Sequence, residues 1–199
     1  MQKLLIQFFT LSMLFIIIVP FSLPSDSTAK TIEVPYFAQK SQYECGVAAV
    51  VSLLKWNTIP ATYEEVKKQI YSESAKGTFP ISIELFLRNS KIKYIVVQGN
   101  LEKIQELIKK DIPSIALLKR KIAFQTINHF YVVTGIEDDL IIVHDGRKPF
   151  QKMKKSDFLS HWSKSNYWLL FIESRGDAKT GGGEDGKRGG REEGENITR

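Results

Sequence analysis

The stretch Gln39-Lys-Ser-Gln-Tyr-Glu-Cys45-Gly46-Val-Ala-Ala-Val-Val-Ser-Leu-Leu-Lys-Trp56 holds the only cysteine of the chain, set directly ahead of an apolar, helix-like run. A helix start carries unpaired N–H groups and the positive end of the macrodipole, so a thiol mounted there is expected to have a lowered pKa and to favour the thiolate. Taken alone, a free cysteine is more often a small buried hydrophobe than a nucleophile. The balance changes downstream, where Asn128-His129-Phe130 and Asp145 supply a base and a carboxylate. One cysteine, one histidine and one carboxylate in this arrangement make a cysteine hydrolase the leading reading.

Two β-rich runs, 128–134 and 140–145, flank Gly135-Ile136-Glu137-Asp138-Asp139, a plausible hairpin connection. A hairpin centred near Glu137 sets His129 opposite Asp145 on one face, close enough for the carboxylate to accept from one imidazole nitrogen. The other nitrogen then stays free to take the thiol proton. A one-residue slip would send the two side chains to opposite faces.

Rival assignments are weaker. His144 adjoins Asp145 and would face the other side of the strand, and His161 falls in Ser156-Asp-Phe-Leu-Ser-His-Trp162, a short helical pattern opened by a Ser cap. Gln42 is an alternative to Gln39 as a side-chain donor, and Glu44 reads most simply as a carboxylate at a helix start.

Gln39 six positions before Cys45, Gly46 after it, and a His129-Phe-Tyr-Val-Val-Thr-Gly run sixteen positions before Asp145 resemble the double-glycine, bacteriocin-processing peptidases of the papain-like clan. The resemblance implies an α+β, papain-like fold: a helical N-terminal half carries the Cys, and an antiparallel sheet carries the His and Asp. It implies Cys45 as nucleophile, His129 as general base and acid, Asp145 as orienting carboxylate, and Gln39 as oxyanion donor. It also implies cleavage after a Gly-Gly pair in an exported peptide or protein, an export system as possible partner, and no metal or organic cofactor. The chain departs from the family at Glu44, where Asp is usual, and at Gly146, where Pro is usual.

Three segments are expected. Residues 1–29 carry Lys3, the mostly apolar run Leu4 to Leu23, and Ser27-Thr28-Ala29, a pattern for a signal peptide or a retained membrane anchor. Residues 30–173 form one peptidase domain. Residues 174–199 are Gly-rich, dense in both charges and nearly free of apolar side chains, so they are expected to be disordered. The N-terminal pattern predicts an exported protein of the periplasm or cell envelope, where a single Cys cannot form an internal disulfide.

The formal charge of +6 lies in the middle of the chain, because the N-terminal segment is balanced and residues 173–199 hold six basic against seven acidic groups. No interleaving of aromatic and basic residues points to nucleic acid. Within the domain, Thr62-Tyr-Glu-Glu65 is a capping box ahead of a helix over 63–72, with further helices at 81–89 and 101–109. Strands are expected at 93–97, 114–118 and 167–172. An amidase or acyltransferase using the same triad, and a non-catalytic peptide-binding envelope domain, are the competing functions.

Overall fold

The computed structural model describes residues 29–122 and 125–173, with the side chains of residues 121–125 outside that description. The expected signal or anchor segment and the C-terminal tail lie outside the described residues. Among the described residues, no helix is long and apolar enough to cross a membrane.

Apolar side chains dominate the helix α1 (Cys45–Trp56), and residues 45–54, Ser52 included, are all buried, so this helix is the spine of the core rather than a surface element. α2 (Tyr63–Ile70) starts at the expected capping box: the Glu65 amide donates to Thr62 Oγ1 and the Thr62 amide to Glu65 Oε2. It ends two residues earlier than the sequence pattern suggests. Tyr71–Ser72 (β2) instead pairs with Gly77–Thr78 (β3) in a small two-stranded sheet that flanks the start of α1. α3 (Pro80–Asn89) begins with Pro, whose missing N–H is no loss at a helix start. α4 (Leu101–Lys109) is capped by Asn100, whose Oδ1 accepts from the Lys103 amide at 2.7 Å.

The remaining chain builds one antiparallel sheet. β4 (Tyr94–Gln98), β9 (Trp168–Ile172), β5 (Ser114–Ile122), β6 (Gln125–Glu137), β7 (Leu140–His144) and β8 (Gln151–Lys154) follow in that spatial order, and β1 (Lys30–Thr31) pairs with β6. α5 (Lys155–Trp162) brings Phe158 and Trp162 into the core, and Trp162 Nε1–H is satisfied by the Trp168 carbonyl at 2.9 Å. Its cap position is Lys154, without a side-chain cap, rather than Ser156. β8, β1 and the small β2–β3 pair have no counterpart in the sequence reading, being too short or too polar to announce themselves.

The β6–β7 hairpin differs from expectation in an informative way. Its turn is Asp138-Asp139, with Asp138 in the left-handed region (φ 44°), so near the loop Glu137 faces Leu140 and Gly135 faces Ile142. A β-bulge between Val133 and Gly135 then shifts the register, and beyond it Val133 faces Val143 and Val132 faces His144. His129 and Asp145 are therefore not direct partners. Strand alternation from the Val132–His144 pair nevertheless puts Asp145 on the face of Tyr131 and His129, and His144 on the other.

Gly135 closes the bulge where β1 crosses it. A Cβ there would sit 2.7 Å from the Lys30 carbonyl oxygen, whereas at Gly77 the nearest atom is 4.0 Å away. Gly135→Ala is expected to lower the unfolding free energy by about 1–3 kcal/mol, and Gly77→Ala to leave it near wild type. Urea denaturation of the two variants provides the comparison.

Candidate active site

Four segments meet at the start of α1. Cys45 is its first residue, 7% exposed, and its sulfur is within reach of three backbone N–H groups: its own, that of Gly46 and that of Phe130. Phe130 follows His129 on β6, so the thiol stands against the main chain of the strand that carries the histidine. Cys45, Phe130, Val132, Phe37, His144 and Gly146 line a seam too tight to admit a water molecule.

His129 Nε2 donates to the main-chain carbonyl of Asp145 at 2.6 Å. A carbonyl can only accept, so in the neutral ring Nδ1 is the unprotonated nitrogen. The edge of the imidazole also packs against Tyr131, with ring centroids 4.6 Å apart. The Asp145 carboxylate does something other than the expected imidazole contact. Its Oδ1 accepts from the Arg147 and Lys148 amides at 2.7 and 2.6 Å, closing a tight turn.

Gln39 binds the far side of that turn. Its amide donates to the Gly146 carbonyl at 2.7 Å, its Nε2 donates to the Ser41 carbonyl at 2.8 Å, and its Oε1 is buried with no partner beside Gly146. Gly146 adopts φ 76°, and a Cβ on it would stand 2.7 Å from that oxygen. The proline common at this position in the family has φ locked near −65° and could not make this turn. Gln42 is exposed in the loop before α1.

Burial sets the electrostatics. It pushes the Cys45 thiol above its ordinary value, against the lowering effect of the three N–H groups and the Arg147 charge. The expected thiolate is thus overridden by desolvation, a cost that helix position alone does not reveal. Burial also pulls His129 below its ordinary value, with Arg147 and Arg120 adding to the fall and the hydrogen bond and charge of Asp145 opposing it. The resting pair is a neutral thiol and a neutral imidazole.

The other candidates have structural roles. His144, 2% exposed, donates from Nε2 to the Val34 carbonyl at 2.9 Å and accepts the Phe150 amide on Nδ1 at 3.1 Å, with Tyr36 and Phe150 edge-on to its ring. Both nitrogens are spent. His161 Nδ1 contacts the Asp157 carbonyl on α5. Glu44 is buried beside Cys45, accepting from Tyr63 OH at 2.9 Å and pairing with Lys67 at 3.0 Å. Burial works to raise its pKa, but bonds from Lys67, Tyr63 and Ser41 and the Lys67 charge outweigh it, so the carboxyl is lowered and ionised. Among the described residues, no group of three or more His, Cys, Asp or Glu side chains could hold a metal ion.

Residues 33–175 match the model of the Peptidase C39 family. The chain belongs to the peptidase C39 family. It is thus a cysteine peptidase, a hydrolase of peptide bonds. The fold agrees with solved relatives: the peptidase domain of Streptococcus ComA, a bifunctional ABC transporter, superposes with a TM-score of 0.58 at 18% identity, covering 70% of this chain and 98% of that one. A C39-like peptidase from Bacillus anthracis gives 0.61 at 14% identity, covering 73% and 98%. A double-glycine motif protease from an AMS/PCAT transporter, solved with its leader peptide, gives 0.56 at 19% identity, covering 74% and 96%. No curated protein matches the chain.

The pinned His144 makes a stability prediction. Burial lowers its pKa, as it does that of His129, so folding is fully supported above the unfolded value of about 6.5 and weakens as pH falls below it, where the unfolded chain binds protons the native state refuses. His144→Phe leaves the Val34 carbonyl and Phe150 amide unpaired and should cost about 2–5 kcal/mol near neutral pH. The decline of stability between pH 6.5 and 5 should be shallower in the variant than in wild type, as measured by urea titrations across that range.

Proposed function

We propose that this chain is a cysteine endopeptidase that cleaves after a Gly-Gly pair in an exported peptide or protein, with Cys45 as nucleophile and His129 as general base and acid. The observation that carries the reading is that Cys45, at the start of α1, lies against Phe130 of β6, one residue from an imidazole whose Nε2 is committed to the Asp145 carbonyl and whose Nδ1 is left for the thiol. Two further facts support it: the double-glycine protease among the similar structures was solved with a leader peptide, and ComA is a transporter with a peptidase domain. An export system is the natural source of substrate, and the apolar run Leu4 to Leu23 is consistent with action outside the cytoplasm or at the membrane.

In the proposed reaction the Cys45 proton passes to His129 Nδ1 as sulfur bonds to the scissile carbonyl carbon. The Cys45 N–H and the second Nε2 hydrogen of Gln39 stabilise the oxyanion. Collapse breaks the C–N bond, and His129 delivers its proton to the leaving amine. Water, deprotonated by the same nitrogen, then releases the acyl group and restores the thiol. Asp145 orients the imidazole through its carbonyl, while its carboxylate shapes the turn that presents that carbonyl.

Two experiments bear on this. Cleavage of a Gly-Gly leader peptide should vanish in Cys45→Ala, and kcat/KM in wild type should plateau from below pH 6.5 to above pH 8.5, because burial spreads the two pKa values apart. Rapid iodoacetamide alkylation of Cys45 at pH 5–6 in the free enzyme would instead reveal a preformed ion pair and contradict the neutral resting state. Separately, Asp145→Asn keeps the carbonyl and an oxygen for the turn amides, so it should retain activity within about tenfold; Asp145→Ala, which loses the turn, should fall by about 100-fold or more. Single-turnover rates on one peptide distinguish the two variants.

A further inference from the structure

β5 and β6 continue past the catalytic row as a two-stranded extension. Leu118 faces His129, Arg120 faces Ile127 and Ala116 faces Tyr131, so Arg120, Ile127, His129 and Tyr131 share one face. The Arg120 side chain folds back along that face and donates from Nη1 to the Tyr131 hydroxyl at 3.2 Å, and the Tyr131 ring packs against His129. This holds an exposed guanidinium beside the imidazole. A second cation comes from the opposite side: Arg147 is exposed, its main chain is fixed by the Asp145 turn, and its charge is felt at both His129 and Cys45.

Among the described residues, neither arginine is held in an ion pair. Lys30, Lys40, Lys67, Lys103, Lys110 and Lys152 each meet a carboxylate within 4 Å, but among the described residues Arg120 and Arg147 meet none. Asp145 lies nearby, but its Oδ1 is turned to two backbone amides and its carboxylate forms no ion pair with either arginine. Two unquenched guanidiniums with constrained backbones are suited to a carboxylate, which each can engage through paired N–H donors. Their position also has a direction. His129 delivers the proton to the leaving amine, so side chains flanking it border the segment that follows the scissile bond.

We propose that Arg120 and Arg147 form a carboxylate-accepting pair on the leaving-group side of the cleft, selecting substrates with Asp or Glu among the first residues after the scissile bond. This rests on the peptidase reading above and adds a second specificity to the Gly-Gly requirement. It also gives the substrate a part in catalysis. Both arginines oppose formation of the His129 imidazolium, and a bound carboxylate offsets that opposition, so the preference acts on kcat as well as KM.

The test uses the purified full chain and matched fluorogenic peptides with Gly-Gly before the cleavage point and Glu, Gln or Lys at each of the next three positions. At low salt one position should favour Glu over Gln by roughly tenfold in kcat/KM, with Lys worse again, and the preference should shrink in high salt. Arg120→Glu and Arg147→Glu should each reduce or invert the order, with Lys peptides gaining. Circular dichroism checks folding, and the exposed Arg147→Glu carries the test if Arg120→Glu is unfolded. Cys45-dependent cleavage with equal rates for Glu, Gln and Lys overturns the carboxylate pair and leaves the peptidase reading standing. Absence of Cys45-dependent cleavage for every peptide overturns both.

Discussion

One extra residue in β6 decides which side chains share a face with His129. Near the turn, the β6–β7 ladder runs in one parity; past Thr134 it runs in the other. Without the bulge, the alternation that starts at Glu137–Leu140 would set Asp145 on the face away from His129, with Arg147 beside it. The bulge is held from both sides: Thr134 is fully buried, its hydroxyl donates to the Ile142 carbonyl, and its carbonyl accepts the Ile32 amide at 2.7 Å. The N-terminal strap therefore does more than cover an edge. By pairing at the irregularity, it satisfies the backbone groups a bulge leaves unpaired, and the strap's next residues carry Gln39 to the turn after β7.

Around this constraint, the site joins two kinds of rigidity. Cys45 belongs to a helix buried on nearly all sides, with Glu44 locked to Tyr63 and Lys67 on α2 just before it. His129 belongs to the sheet, its ring edged by Tyr131 and its Nε2 tied to the main chain of Asp145. Main-chain atoms carry the contacts between them: Phe130 N–H to the thiol, the Asp145 carbonyl to the imidazole, and Gly146 to Gln39. Such contacts depend on backbone path, which suits a family whose relatives here share the fold at 14–19% identity.

Much of this was legible in the chain. The apolar run after Cys45, the Thr62–Glu65 box and the Asn100 cap each signal their helix through local chemistry, and the structure follows them. The convergence of the Gln39, Cys45, His129 and Asp145 segments was legible from motif spacing. What escaped was non-local. A bulge has no residue signature at Thr134, and the turn at Asp138-Asp139 moves the hairpin centre away from Glu137. The Asp145 carboxylate was assigned to the imidazole because residue type shows a side chain and hides a carbonyl. The thiol pKa ran opposite to expectation because helix-start N–H groups are visible in sequence, whereas the burial that outweighs them comes from distant strands.

The pairing of His144 with Val34 spans 110 positions, and Gln39 reaches forward to Gly146 in the same way. Elements that lie far apart in the chain are thus stitched together only after β7 exists. On the ribosome, where synthesis is far slower than local folding, α1 with its thiol emerges early and meets His129 only when the sheet closes. The arrangement of thiol, imidazole and turn is consequently a late product of folding, set by contacts that span most of the domain.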